Sequence, residues 1–489
     1  MKNFWEDLDE TVRSMQAAWG VPGLGVAIVN GDQIVYARGF GERAHGKTGS
    51  VDAHTIFAIG SCTKAFTATA IGMLVQEGKL AWDDPANQYL PDFQLFDPAA
   101  TREISVRDLL CHRSGLATFS GDFMGYGSSY TREEVLWRVR FIPPAFHLRG
   151  GFGYSNLMFL AAGQIILRLS GLNWEDFVRT RLIEPLGMKR TTTGVDELAG
   201  MDNVAQPHAL AGNKLIQVPY VKLDAHAASG GINSSAHDMA LWLRFQLANG
   251  QWDKSQFVDP AILEETRLPH TLIPIDADAR RLIPRRHFSA YGLGWGLSDY
   301  GGRLVVSHTG GVDGMQSLAA FLPEERLGLV ILTNQLPSSL SSALFYHILD
   351  AALDLPRTDW QTEFLAQDRK KAEATADARR KLEASRQAGA PPSLPLASYL
   401  GEYTDPIYGK LSVAMQNNQF VLQPEGHPNL KGTLEHWHAN TFLCTWSSPT
   451  YEQSFVHFSI GMDGKASSLR FKVAEFIDPL EYVFKRLLD

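Results

Sequence analysis

The spacing of apolar residues changes character several times along the chain. Near the start, "LGVAIVNGDQIVYARGFG" forms two β-rich runs around Asn30, Gly31 and Asp32, a hairpin pattern because Asn-Gly readily adopts the positive φ of a tight turn. Far downstream, "RLVVSH" (303–308), "MQSLAAFLP" (315–323) and "LGLVILTN" (327–334) read as further strands joined by Gly-rich and Pro-Glu-Glu turns. Between them apolar residues recur every three or four positions, predicting helices over 61–77, 105–111, 132–139, 157–170, 174–184 and 236–248. Trp5, Leu8, Val12, Met15 and Trp19 give the first segment the same helical spacing. Five antiparallel strands from the two ends of one unit, with a large helical insertion between, make an α+β fold.

After "ALFYHILDAALDL" the composition shifts to Ala, Lys, Arg and Glu and stops at "GAPPSLP", which predicts a solvated helical connector over 357–395. From 396 to 489 the pattern is again short alternating runs: "GKLSVAMQ", "QFVLQP", "KGTLEHW", "TFLCTW", "SFVHFSI", "SLRFKV" and "LEYVFKR". Evenly spaced strands of this kind predict a small up-and-down barrel, with Phe420, Trp437, Phe442 and Trp446 in its core. The expected division is therefore 1–356, a linker over 357–395, and a barrel over 396–489.

Composition narrows the function classes. A net charge of −8 without a basic stripe argues against a nucleic-acid partner. No apolar run reaches the ~18 residues of a membrane span, and the first helix lacks a signal peptide's apolar core, so a soluble cytoplasmic protein with no membrane partner is expected. Cys62, Cys111 and Cys444 have no paired spacing, which suggests neither a disulfide framework nor a zinc site. The region around His112 lacks a helical metal motif, and no cofactor or metal is expected.

One stretch departs from its own pattern. The helix in "GSCTKAFTATAIGMLVQEGKL" (60–80) is apolar except at its first turn, where Ser61, Cys62, Thr63 and Lys64 stand. Ser61 and Lys64 are three apart and share a helix face, whereas Cys62 is rotated about 100° away. A lysine must fall about three units from ~10.4, worth about 4 kcal/mol, to act as a base near neutrality. Burial can supply a shift of that size, and the free N–H groups of a helix start can hold an oxyanion. Taken alone, a Ser cap followed by an exposed Lys is the better explanation of the spacing. The company matters: "GGFGYSNLMFL" places Tyr154 and Asn156 just before a helix, and "VVSHTGGVDG" places His308, Thr309, Gly310 and Gly311 at a strand end. Separately these read as a half-buried aromatic, a helix cap and a turn between strands. Ser235 with Asp238 fits a capping box for the 236–248 helix.

In order and separation, S-x-x-K, Y-x-N and H-T-G together resemble the serine β-lactamase and penicillin-binding-protein superfamily, in its class C-like branch of peptidases and esterases. The resemblance covers about 5–350 and extends to "VPGLGVAIV", "SVRDLLCHRSGL", "ASGGINSSAHDMALWL" and "YGLGWGL". The tail from "LASYLGEYTDPIYGKLSV" is similar to the lipocalin-like domain of some S12-type serine peptidases. The resemblance implies Ser61 as the acylated nucleophile, Lys64 as its proton partner, and Tyr154 as general base or acid with its phenolate favoured by Lys64. It implies Asn156 donating to the substrate amide carbonyl, His308 and Thr309 lining the substrate site, and the backbone N–H groups of Ser61 and Gly311 as the oxyanion hole, Gly311 allowing close approach of main chain. Cys62 is expected to be a packing residue.

His308 stands where lactamases and cell-wall enzymes usually carry Lys. A neutral imidazole does not hold a substrate carboxylate, which favours a hydrolase of small peptides, including D-residue peptides, over a β-lactamase or DD-peptidase. If neutral imidazole is the working form, hydrolysis is expected to rise with pH through its titration. A carboxylesterase is the second reading, and a non-catalytic ligand-binding or sensor protein the third; the complete set Ser61, Lys64, Tyr154 and Gly311 argues against the last. The barrel is expected to cap the active-site entrance or to mediate homo-oligomerisation.

Overall fold

A computed structural model describes residues 2–212 and 214–487; the side chain of Trp5 lies outside the described residues. The expected hairpin forms β1 (Gly23–Asn30) and β2 (Gln33–Gly41). They join an eight-stranded antiparallel sheet with β3 (Thr271–Leu272), β4 (Ser289–Tyr291), β5 (Gly296–Tyr300), β6 (Arg303–Val312), β7 (Met315–Leu322) and β8 (Leu327–Thr333). The order is β2-β1-β8-β7-β6-β5-β4-β3, so the two ends of this part of the chain meet at β1 and β8, with Val26 opposite Ile331. The five expected strands are present, and β3 to β5 extend one edge. Those three are two to five residues long, too short to show a period, and "YGLGWGL" straddles β4 and β5.

Strand alternation sends each face of the sheet to a different core. Val26, Ile28, Leu329 and Ile331 pack with Leu8, Val12 and Met15 of α1 (Lys2–Trp19), whereas Ala27, Val29, Val330 and Leu332 face the helical insertion. The insertion contributes α2 (Thr63–Gln76), α3 (Asn156–Ser170) and α4 (Ala236–Leu247). α2 is buried on every side from Thr63 to Leu74, so it is a central helix rather than a two-faced one. α5 (Leu340–Ala352) covers the α1 face, and α6 (Trp360–Ala384) buries only Trp360 and Phe364, as its charged composition requires. Ser235 caps α4 by accepting from the Asp238 N–H at 3.1 Å, but the reciprocal half of the expected box is replaced: Asp238 Oδ2 accepts from the Arg190 N–H at 2.6 Å.

The C-terminal strands close a barrel in chain order: β9 (Gly401–Asp405), β10 (Gly409–Gln416), β11 (Gln419–Pro424), β12 (Gly432–His438), β13 (Thr441–Trp446), β14 (Gln453–Ile460), β15 (Ala466–Phe471) and β16 (Tyr482–Arg486). Pairing of Tyr403 with Arg486 seals it. Seven strands match the expected runs; β9, "GEYTD", has a single large apolar residue and no visible alternation. Phe420, Phe442 and Trp446 belong to the core, as expected, whereas Trp437 is buried outside it, under Arg386, whose guanidinium carbon lies 4.6 Å from its ring centre. The barrel docks on the segment 119–130: the Ser129 N–H donates to Gly426 O at 2.8 Å, Tyr130 Oη to Tyr408 O at 3.1 Å, and Phe123 stacks on His427 with ring centres 4.0 Å apart. Among the described residues no single helix is long and apolar enough to cross a membrane.

Candidate active site

Gly60, with φ of +47°, turns the chain out of a short strand and into a 3-10 turn, Gly60–Cys62, that leads into α2. The turn leaves Ser61 partly exposed and drives Lys64, one turn on, into the core with no exposed surface. Lys64 Nζ has three oxygens around it: Ser61 Oγ at 3.1 Å, Asn156 Oδ1 at 2.6 Å and Ser229 O at 2.9 Å. Burial pulls this amine from its ordinary value down to about 7, with Asp122 and then Cys62 pulling the other way. A neutral amine donates two hydrogen bonds and accepts one. Asn156 Oδ1 and Ser229 O can only accept, so the lone pair of neutral Lys64 faces the Ser61 hydroxyl.

Tyr154 lies against both groups, its ring centre 4.6 Å from Lys64 Nζ. The expected phenolate is not favoured here: burial raises the Tyr154 phenol well above its ordinary value, and hydrogen bonding with Ser61 offsets only part of the rise. The proton stays on the phenol while the amine loses its own more readily. Asn156 is the first residue of α3 rather than its cap. Its amide is engaged at both ends, Oδ1 by Lys64 and Nδ2 by donation to Asp122 Oδ2 at 2.6 Å. One N–H of Nδ2 remains to meet the expected substrate carbonyl.

The His-Thr-Gly-Gly stretch is strand, not turn. β6 pairs with β5 only as far as Ser307 but continues along β7 to Val312, so 308–312 present a free edge to the Ser61 turn. His308 Nδ1 lies 2.6 Å from Thr309 O, which can only accept, so Nδ1 carries the hydrogen and Nε2 accepts from Tyr291 Oη at 2.7 Å. Burial, and then the charge of Lys64, push His308 down to about 3. The imidazole is neutral at physiological pH, and its titration lies below the range in which the sequence predicts a rise with pH. Thr309 and Gly311 are exposed along this edge.

Gly310 makes the tightest contact between the strand and the turn. A Cβ on Gly310 would stand 2.5 Å from Ser317 Oγ and nearer still to the Ile59 carbonyl oxygen. On Gly311 the nearest atom would be Leu336 Cδ2, at 3.5 Å. Gly310 lets the strand reach the turn, and the Gly311 N–H is then beside Gly60, the residue before Ser61: a Cβ on Gly60 would lie 2.9 Å from Gly311 N. Cys62 faces away, fully buried, its Sγ 3.2 Å from both His308 O and Ser317 Oγ, with its thiol raised to about 11 by burial.

Sequence reasoning gave no role to Asp122, Tyr291 or Ser229. Tyr291 and Ser229 lie in family-like stretches, but Asp122, in "GDFMGYG", carries no spacing signal. His112 supports the site from beneath: its Nδ1 accepts from the Ser155 N–H at 3.1 Å and its ring is 4.1 Å from that of Tyr154. No cluster of three or more His, Cys, Asp or Glu able to hold a metal occurs among the described residues.

Residues 8–353 match the family model described as Beta-lactamase, and residues 385–486 match one described as a domain of unknown function, DUF3471. The chain is 30% identical over 445 residues to the unguisins hydrolase ungD' of Aspergillus campestris, covering 85% of this chain and 79% of that protein. The octameric penicillin-binding protein homologue from Pyrococcus abyssi superposes with a TM-score of 0.64 at 22% identity, over 98% of this chain and 99% of that one. A D-stereospecific amidohydrolase from Streptomyces sp. gives 0.53 at 23% identity, over 66% and 93%. With most of its length matched to the family model, this chain belongs to the beta-lactamase family.

Proposed function

We propose that the protein is a serine hydrolase that forms an acyl-enzyme on Ser61 from small peptides, those with D-residues included, or related amides. The observation that carries this is the buried Lys64 amine, lowered to about 7 with Ser61 Oγ 3.1 Å away. Ser61 Oγ attacks the scissile carbonyl carbon while its proton passes to Lys64 Nζ. The Ser61 and Gly311 N–H groups hold the oxyanion. Tyr154, protonated and next to both groups, gives its proton to the leaving nitrogen and is reprotonated from Lys64; water then attacks the ester carbonyl and frees Ser61.

The substrate class is supported by two observations. The neutral, internally bonded His308 offers no cation to a substrate carboxylate, which disfavours β-lactams and C-terminal D-Ala peptides. The hydrolase named for unguisins and the D-stereospecific amidohydrolase share the family or fold. A carboxylesterase is the second reading, since the same machinery cleaves esters. We read 1–356 as the hydrolase domain, 357–395 as a connector and 396–489 as the lipocalin-like domain, and the octameric fold relative supports a homo-oligomer.

A panel of D- and L-aminoacyl p-nitroanilides, p-nitrophenyl esters and a chromogenic cephalosporin, run beside Ser61→Ala, tests the reading. Amide turnover lost in the variant supports it; ester turnover alone selects the second reading, and cephalosporin turnover would defeat the role given to His308.

A further inference from the structure

Beneath Lys64 the hydrogen bonds continue into the barrel. Asn156 links Lys64 to Asp122, which is buried, with Oδ2 accepting from Asn156 and Oδ1 without a partner. The next residue, Phe123, donates its N–H to Asp478 Oδ2 at 3.4 Å. Asp478 belongs to the barrel, has no exposed surface, and also accepts from Tyr408 Oη at 2.8 Å and from the Leu480 N–H at 3.1 Å. Two buried carboxyl groups from distant parts of the chain thus bond to one segment and its neighbour: Asp122 accepts from Asn156, and Asp478 accepts from the N–H of Phe123.

We propose that Asp122 is a positioning residue for Asn156 and Lys64, and that Asp478 controls it from the barrel, making the C-terminal barrel a working part of the active site. This rests on the reading of Lys64 as the proton acceptor.

The geometry has a chemical logic. A carboxyl group bonded through one oxygen and unpartnered at the other, in a buried site, suits the protonated acid. Burial first and the charge of Asp478 second push Asp122 well above the usual carboxylate range, while Asp478, with several donors, is raised by burial only to about 6. Above that pH the barrel carboxylate carries a negative charge that adds to burial in favouring the proton on Asp122. As the acid, Asp122 still accepts from Asn156 and pulls less on the Lys64 proton than its carboxylate would. Other groups facing this pair are uncharged: His226 lies 3.2 Å from Asp122 O and is lowered by burial to about 4, Tyr408 and Tyr482 beside Asp478 are raised by burial, and His112 and His308 beside Lys64 are both lowered by burial. Tyr154 keeps its phenolic proton. Asp122 is therefore the group near Lys64 whose ionisation would move the amine.

The test is the pH profile of p-nitrophenolate burst rate from p-nitrophenyl acetate, measured on the full chain. Asp478→Asn keeps an acceptor for Tyr408 and Phe123 but removes the charge, so Asp122, still buried, ionises more readily and steadies the proton on Lys64. The acid limb is expected to move up by about one pH unit. Asp122→Asn is expected to show no upward move, and the double variant to follow Asp122→Asn alone, since Asp478 acts through Asp122. Asp122→Ala, which leaves Asn156 without its acceptor, is expected to lower the plateau about 10- to 100-fold, and Asp122→Asn to restore most of it. Should Asp478→Asn fail to fold, Tyr408→Phe weakens the same carboxylate and moves the limb the same way by less. Coincident limbs for the parent and the Asp478 variant, an upward shift that persists in the double variant, or a parental plateau in Asp122→Ala overturns the proposal while a Ser61-dependent burst leaves the hydrolase reading standing. A burst that survives in Ser61→Ala overturns both.

Discussion

Gly310→Ala is the sharpest structural perturbation the site offers. A Cβ there would stand 2.5 Å from Ser317 Oγ, 2.9 Å from the Ile59 carbonyl carbon and closer still to its oxygen. Neither neighbour can swing away. Ile59 O is main chain, it accepts from Ser317 Oγ at 2.6 Å and from the Cys62 N–H at 3.2 Å, and Ile59 is one residue from the Gly60–Cys62 turn. Relief requires β6 and the turn to part by roughly 1 Å, and a misplacement of that size costs on the order of 100-fold in rate. The overpacking itself costs about 1–3 kcal/mol of stability. Gly311→Ala is the control, because its Cβ would make an ordinary 3.5 Å contact with Leu336. The assay is the acylation burst with p-nitrophenyl acetate, paired with urea unfolding to separate folding from function. The expected outcome is a folded Gly310→Ala variant slowed by about 100-fold and a Gly311→Ala variant within a few-fold of the parent. Parental acylation by Gly310→Ala would refute the claim that close packing of strand and turn builds the site.

Three further outcomes follow from the same geometry. Because Lys64 is lowered to about 7 and the proposed reaction uses its neutral amine, acylation should rise with pH through about 7 and then level; a profile flat from pH 5.5 to 8 would contradict this assignment. Cys62 is buried and raised to about 11, so iodoacetamide should leave it unlabelled in the folded protein and leave acylation unchanged; rapid labelling with loss of activity would give the thiol a role it is denied here. Phe123 stacks on His427 and lies against Tyr482, so Phe123→Ala should cost about 3–5 kcal/mol in urea unfolding and loosen the barrel from the site. An unchanged unfolding midpoint would mean the docking contacts contribute little.

How legible the fold and the site were depends on the range of the interactions involved. Ser61 and Lys64 could be paired from sequence because three residues along a helix fix a shared face, and the structure has Nζ 3.1 Å from Oγ. The β1–β2 hairpin was legible because its turn is local. The barrel was readable from evenly spaced runs, apart from β9, whose membership comes from pairing with β16 at the far end of the domain. β6 was read four residues short because Thr309, Gly310 and Gly311 resemble a turn, whereas partners on β7 keep them extended. Asp122 and Asp478 were invisible. Nothing local marks either one, and their meaning comes from burial and from a contact between segments 355 residues apart. The state of His308 was equally a matter of tertiary context, since its neutrality comes from burial and its tautomer from Tyr291 and Thr309.

The central claim is that Ser61 is acylated with Lys64 as its proton acceptor. The most direct measurement is the intact mass of the protein quenched during turnover of a p-nitrophenyl ester, with peptide mapping of the adduct, in the parent, Ser61→Ala and Lys64→Ala. The expected result is one acyl group on the peptide containing Ser61 in the parent, none in Ser61→Ala, and acylation slowed by about 100- to 10,000-fold in Lys64→Ala. An adduct on another residue, or full acylation without the Lys64 amine, would contradict it.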